Sequence, residues 1–555
     1  MTENTWHHEA DVIVVGSGAA AYSAAIAARS SGADVIMVEK AKSYGGTTIR
    51  SGGGFWIPNN RFQRELGIVD SKEDAVRYMA HYSYPQLYNP DDPKLGLPDH
   101  EFEMLDSYYD HAAEMVDYLS GIGAINPIQE INWTGQPQVD YQEAIPENKL
   151  IRGRVLYTQD AKGQLAYGVE LIRQMNAWAV AHDIPLLLDH RVTDIIQSSQ
   201  GDVAGIEATT ASGEVVALHS RKAVVFGSGG YSHDSEMMLR LQRGPHFGSC
   251  AAPENTGDFF KLAVEIGAMP ANTAGAWRAE IVLEKALTDP SGVHNVFYVI
   301  GDSMLEVNKY GLRVVNEKRN YTDRTMVHFA WDANKAEWTN MLLFWIYDER
   351  TAMLWSGFPP LPPKGAKAPY VITAQTLDAL AVSIADRLGQ LAPQTGGFAL
   401  DPGFTQNLIA TVSRFNRFAV VGVDEDFHRG EYAYDREWTT FPPTLPDAQW
   451  PDLGSKNITM YPLSDEGPYH AIILGAGTLD TNGGPMINSK SQVLDTHGTA
   501  IPGLFAAGNC IASPTANAYW GAGSTLGPAM TFGYLAGLNA VKTKNSLEGG
   551  EDVNR

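Results

Sequence analysis

The sequence predicts an α/β protein: a doubly wound, Rossmann-like nucleotide-binding domain with a strand-rich insertion, joined to an inserted α+β capping domain. Three observations predict this class. The chain opens on a strand, a glycine turn, a small-residue helix and a second strand; five strand-like runs follow one another between residues 185 and 230; and Gly-rich turns with small-residue helices return after residue 472. At 555 residues the chain also exceeds what one hydrophobic core usually serves.

Asp11–Val15 is a short run rich in β-branched residues, followed by the turn Gly16-Ser17-Gly18-Ala19-Ala20-Ala21 and a helical stretch from about Tyr22 to Ser30. Val35–Val38 is the second apolar run and leads into Glu39, completing a βαβ unit. The insertion comprises Pro185–Leu188, Val192–Gln197, Val203–Thr209, Val215–Leu218 and Ala223–Phe226, with turn signals at Gly201-Asp202 and Ser212-Gly213. The region from about Arg278 to Tyr461 is rich in Trp, Tyr and Pro, with helix-like segments at Thr373–Leu391 and Phe404–Phe418. The expected division is a discontinuous nucleotide-binding domain from residues 1–278 and 462–545, a capping and catalytic domain at 279–461, and a polar tail at 546–555.

Composition narrows the function. A net charge of -23 opposes nucleic-acid binding, which draws its affinity from a basic surface, and reads more simply as solubility. Cys250 and Cys510 are the only cysteines, without metal-ligand spacing, so no metal is expected. With no basic, cleavable apolar leader visible, they point to a reducing cytoplasm. No apolar stretch reaches the length of about 18 residues that a membrane span needs, which leaves peripheral membrane contact open.

Gly16-x-Gly18-x-x-Ala21 suits a phosphate-binding turn: Gly16 permits the tight bend, and Gly18 lets a pyrophosphate approach a helix N-terminus whose free N–H groups favour anions. Glu39 ends the second strand 21 residues after Gly18, where a carboxylate accepts from ribose hydroxyls. A second run of glycines and hydroxyls, Gly45-Gly46-Thr47-Thr48 with Ser51-Gly52-Gly53-Gly54, follows closely, and Gly503–Asn509 with Gly508 supplies another strand-then-glycine turn. Three separated clusters suit FAD lying extended across the sheet better than NAD.

Asp11–Glu39, Gly45–Asn60, Asn255–Gly267, Gly311–Asp323, Phe415–Asp435 and Gly503–Gly533 resemble the flavoprotein family of 3-ketosteroid 1-dehydrogenases and fumarate reductase flavoproteins. The ketosteroid branch is favoured by Ser51–Pro58, Gly422–Gly430, and Ala518-Tyr519-x-Gly521-x-Gly523 followed by Gly527–Phe532. The resemblance implies FAD, with Ala19, Ala20, Lys40, Gly229, Asn255, Asp258, Asn509 and Leu526 joining the glycine clusters around it. It also implies that Tyr519 and the Gly523 N–H hold the carbonyl oxygen of a substrate. Tyr321 would take the α-proton, and Tyr141 would hydrogen-bond that base.

Such residues match what desaturation of a ketone requires. The α-proton is weakly acidic, so charge developing on oxygen needs preorganised donors, each worth about 3 kcal/mol in a dry site. A phenol, titrating near pH 10 in water, becomes a usable base when a second phenol donates to it. The bland alternative for any of the 24 tyrosines is a core ring with a satisfied hydroxyl. Asp424 and His428 read as structural, and His470 as either.

Trp520 and Ala522 stand where family members commonly carry proline, and Trp133, Trp331, Trp338, Trp345 and Trp355 either line an apolar cleft or fill the cap. The expected substrate is a small hydrophobic cyclic ketone, with a 3-ketosteroid first and a cyclohexanone-type ring as rival; the electron acceptor is unnamed by the sequence. Further alternatives are a 4-ene-forming 5α-ketosteroid dehydrogenase, a non-catalytic FAD-binding protein, and a fumarate reductase-like enzyme. Asp480 in Leu479–Gly484 counts against the last by repelling a carboxylate.

Overall fold

The computed structural model describes residues 6–444, 456–516, 518–543 and 553–554, so the expected tail lies largely outside the described residues. His8–Val15 is the centre of the main sheet, flanked in parallel by Val35–Val38 and by Val215–Phe226. Leu186–Leu187 extends the sheet beyond Val35–Val38, and Ala500–Ala506 pairs in parallel with the end of Val215–Phe226. The last two strand-like runs of the insertion are one twelve-residue strand, Val215–Phe226. Its first half closes an antiparallel meander with Val203–Thr210 and His190–Ser198, and its second half enters the parallel core.

Two small-residue helices, Ala19–Ser30 and Leu526–Ala540, pack against each other beside this sheet. A Cβ on Gly533 would stand 2.3 Å from Ala20 O, and one on Gly537 2.3 Å from Ala24 O. Glycine there sets how closely the helices approach and so fixes the phosphate-binding turn against the C-terminal segment.

A second sheet runs Asn295–Val296, Ala276–Val282, Tyr469–Thr481, Leu342–Asp348 and Met304–Val307. Val371–Ala374 pairs with the Tyr469–Ala471 end of its long strand and with Ile472. The expectation of a helix from Thr373 is corrected here. The β-branched Val371-Ile372-Thr373 run is strand, and the helix begins at Leu377, where Thr376 accepts from Ala379 N–H. That helix, Leu377–Thr395, and Phe404–Val421 bury their apolar faces with the sheet in a separate core. Tyr469–Thr481, expected with the nucleotide segment, instead pairs throughout with strands of this second sheet.

A small third sheet joins Phe55–Trp56, Val155–Gln159, Pro127–Gln129 and Leu165–Ala166. No helix among the described residues is long and apolar enough to cross a membrane.

Candidate active site

A cavity of about 390 Å³ is lined by Val15, Val38 and Phe226, the C-terminal residues of three parallel strands. Ligands of open α/β sheets bind at this edge. Gly16, Gly18, Ala19 and Ala20 form one wall. Gly16 has φ +105, and a Cβ there would lie 2.5 Å from Gly227 O. Gly18 N-caps the Ala19–Ser30 helix and has no side chain to cap it; Thr48 Oγ1 accepts from Ala19 N at 3.1 Å, and the dipole of the helix start favours an anion. Glu39 and Lys40 line the cavity further along, as do Gly46, Thr47, Thr48 and Ser51. Gly229, Asn255 and Asp258 close a third side, and Gly508, Asn509 and Leu526 a fourth.

Gly52 and Gly53 do not line it. A Cβ on Gly53 would sit 2.4 Å from Gly168 N, so this glycine serves a close backbone crossing instead.

Glu39 accepts from Ser17 Oγ at 2.6 Å and from Ala41 N at 2.8 Å. Burial raises its pKa while those two bonds oppose the rise. Its remaining lone pairs can still take ribose hydroxyls. Lys40 Nζ pairs with Asp258 at 2.8 Å, and Arg191 pairs with the same carboxylate at 2.8 Å. Asp480 sits one layer behind the wall. Its Oδ2 accepts from Asn255 Nδ2 at 2.6 Å, Asn509 Nδ2 at 3.0 Å and Gly230 N at 2.9 Å. Two cavity-lining amides therefore spend a donor on one buried carboxylate.

Tyr141, Tyr321 and Tyr519 come together from three distant stretches of chain. The Tyr141 hydroxyl donates to the Tyr321 hydroxyl at 3.0 Å. Tyr519 stacks on Tyr141 with ring centroids 5.3 Å apart and meets Tyr321 edge-on at 5.6 Å. Local bonds fix each member. Asn320 caps the Tyr321–Thr325 helix by accepting from Asp323 N at 2.9 Å, and Arg319 Nη2 donates to Tyr141 O at 2.9 Å. Tyr141 N donates to Trp520 O at 3.1 Å, tying the Tyr141 loop to the Tyr519 loop. Beside Tyr141, Asp140 is buried against Arg154, which also pairs with Asp70 at 2.7 Å.

Gly523 has φ +89, and a Cβ there would lie 2.4 Å from Phe55 N. Burial raises the Tyr519 pKa, opposed by hydrogen bonds from Tyr321, Thr525 and the Gly523 backbone, so the Gly523 N–H and the Tyr519 phenol are neighbours. Burial likewise holds Tyr321 well above the ordinary phenol range, with the Tyr141 bond pulling it down.

The sequence profile of the FAD-binding-domain family matches residues 11–526. The chain belongs to that family. This flavoprotein uses FAD and is an FAD-dependent dehydrogenase. It is 32% identical to the 4-oxocyclohexanecarboxylate 2-dehydrogenase of Sinomonas cyclohexanicum, covering 95% of this chain and 92% of that one. It is 30% identical to the 3-oxosteroid 1-dehydrogenase of Mycolicibacterium smegmatis, covering 96% and 98% respectively. Its fold matches the 3-ketosteroid Δ1-dehydrogenase of Sterolibacterium denitrificans, solved with 1,4-androstadiene-3,17-dione, with a TM-score of 0.79, 24% identity and coverage of 96% and 100%. The cavity fits the cofactor: a helix start and glycine turn for the pyrophosphate, a carboxylate for ribose, and small residues such as Gly46, Thr47 and Gly508 along its length.

Several side chains take places the sequence did not disclose. Trp520 is fully buried in an aromatic cluster with Trp56 and Tyr108, its Nε1 donating to Ser83 Oγ at 2.9 Å. Trp345 and Trp355 fill the cap core, Trp331 and Trp338 pair in a surface hairpin, and Trp133 is exposed. Asp480 is sequestered behind Gly230 and Asn255 rather than facing a substrate, which removes the charge argument that the sequence offered against a dicarboxylate. Asp424 is a buried partner of Arg313, while His428 and His470 pair with the surface carboxylates Glu431 and Glu349. Phe297, Tyr434 and Trp438 surround the tyrosines, with Phe297 edge-on to Tyr321 at 5.1 Å. No motif marked them, since only tertiary packing brings these scattered aromatics together.

Proposed function

We propose that this flavoprotein desaturates the carbon pair α,β to the carbonyl of a cyclic ketone, in the manner of a 3-ketosteroid 1-dehydrogenase. The observation that carries the reading is the Tyr141 hydroxyl donating to Tyr321 beside Tyr519 and Gly523. A core role would satisfy each phenol separately; it gives no reason for three to meet next to a backbone N–H at a flavoprotein's substrate side. The relatives support the same class, being named for oxidation of 4-oxocyclohexanecarboxylate and of 3-oxosteroids.

In this reading the Tyr519 O–H and the Gly523 N–H bind the ketone oxygen and stabilise charge that develops on it. Tyr321 takes the α-proton at its phenolic oxygen, and Tyr141 stabilises the phenolate form by donating to it. Bound FAD supplies the hydride acceptor for the neighbouring carbon. The surrounding aromatic rings exclude water, which strengthens both donors. Gly16, Gly18, Glu39, Thr48, Asn255 and Asn509 hold the cofactor.

The test is an anaerobic screen in which an androstenedione-type steroid and cyclohexanone are each mixed with the holoenzyme and a dye acceptor. Reduction of the dye, and bleaching of the flavin once the dye is left out, with formation of the conjugated enone, is the expected result. A flavin that stays oxidised with both ketones and passes no electrons to the dye would sink the reading.

A further inference from the structure

Beyond the carbonyl site, one carboxyl group stands out. Glu130 Oε2 is enclosed and has no hydrogen-bond partner among the described residues, and the same is true of Gln138 Oε1. Buried acceptors left unmatched cost free energy, so two together mark a place where a donor belongs.

Strand register puts Glu130 toward the proposed substrate side, and the antiparallel bridge between Ile131 and Pro137 sets Gln138 opposite it. Ile128 pairs with Tyr157 and Gln129 with Leu156, and Glu130 N continues the ladder to Val155 O. Residues two apart share a sheet face, so the side chains of Glu130 and Tyr157 project the same way. Tyr157 reaches Gly54: a Cβ on Gly54 would lie 3.0 Å from its Cζ and 3.2 Å from its hydroxyl oxygen. Gly54 in turn touches Gly523, whose own Cβ would lie 2.5 Å from Gly54 C. The span from Gly523 to Glu130 is thus bridged by one glycine and one tyrosine ring. Tyr157 and Tyr298 are each close enough to both Glu130 and Tyr519 for either charge to raise their pKa values.

We infer that Glu130 and Gln138 form a second polar subsite, which takes a hydroxyl group carried on the ketone ring and turns away a ring carboxylate. The inference rests on the proposed ketone chemistry and adds the substituent that the site selects. A hydroxyl donates to either orphan oxygen, whether the Glu130 carboxyl is ionised or not. A ring carboxylate has no proton to give and meets an acidic group that forms no ion pair among the described residues. Burial pushes the Glu130 pKa up to about 7, opposed by the nearby polar ends of Gln138 and Tyr157. The subsite would therefore disfavour 4-oxocyclohexanecarboxylate, the compound for which one relative is named.

The test compares kcat/KM for 4-hydroxycyclohexanone, cyclohexanone and 4-oxocyclohexanecarboxylate at pH 8, using holoenzyme carrying wild-type Glu130, Glu130→Gln or Glu130→Leu. Wild type is expected to favour the hydroxy ketone over cyclohexanone about tenfold and to disfavour the carboxylate by a similar factor. Glu130→Leu is expected to abolish the first preference, and the near-isosteric Glu130→Gln to relieve the second. Equal hydroxy-to-plain ratios in wild type and Glu130→Leu would overturn the subsite while leaving the ketone chemistry standing. Should wild type oxidise none of the three, the proposed reaction fails instead. Titration of the flavin absorbance with 4-hydroxycyclohexanone then judges the subsite: weaker binding to Glu130→Leu upholds it, and unchanged or absent binding overturns it.

Discussion

The hydroxyls of Tyr141 and Tyr321 lie 3.0 Å apart, with Tyr141 as donor, although 180 residues separate them in the chain. That direction matters, because a phenol that receives a hydrogen bond is easier to ionise than one that gives it. Replacing Tyr321 or Tyr519 by Phe is expected to lower turnover at least about a hundredfold with FAD still bound. Near-normal turnover in either variant removes that residue from the chemistry.

Burial dominates the Tyr321 environment and keeps its pKa well above the ordinary value of 10. A base must be deprotonated to act, so kcat/KM is expected to climb with pH through the alkaline range and to show no plateau by about pH 10. Tyr141→Phe removes the opposing bond and is expected to push the alkaline limb further up while lowering the rate near neutrality. A pH profile identical to wild type would show that Tyr141 does not assist the base.

Asp480 holds the Asn255 and Asn509 amides by their donors. Asp480→Ala frees both, and the expected outcome is faster FAD loss on dialysis and a shifted flavin reduction potential. Unchanged retention and potential would reduce the residue to packing.

Gly523→Ala would drive a methyl group to 2.4 Å from Phe55 N in a backbone with φ +89. Strain and clash together are expected to cost about 2 kcal/mol or more and to lower the melting temperature. An alanine variant that melts like wild type would contradict this placement of the loop.

Glu130 has its pKa raised from 4.5 to about 7 by burial. The fold therefore favours its neutral form: the penalty is absent below the unfolded value, grows as pH rises, and is complete above the folded one. At pH 8 it amounts to about 3 kcal/mol at most, less where water in the cleft screens it. Glu130→Gln is expected to resist denaturant better than wild type at pH 8 and equally at pH 4.5. Equal stability at both pH values would refute the burial.

The nucleotide half was legible because its chemistry is local. Gly16, Gly18 and Glu39 sit at fixed spacing on one βαβ unit, and all three line the cavity. Gly53 shows the limit of that reasoning, since a glycine that admits another backbone looks in sequence like one that admits a phosphate. Tyr321, Tyr519 and Tyr141 were named through resemblance, and the structure brings them together. Their setting in Phe297, Tyr434 and Trp438 was hidden, as was the bond between Asp480 and its two asparagines. Such contacts join positions up to 297 residues apart and leave no periodic trace. Glu130 was invisible for a related reason: a lone acidic residue just past a short strand reads as surface until its neighbours are known.

Tyr469–Thr481 runs through the middle of the cap sheet and delivers Asp480 to the amides at the cofactor. One strand thus belongs to the second sheet by its backbone and to the cofactor cavity by a single carboxylate, so a substitution that displaces this strand is also felt at the Asn255 and Asn509 amides.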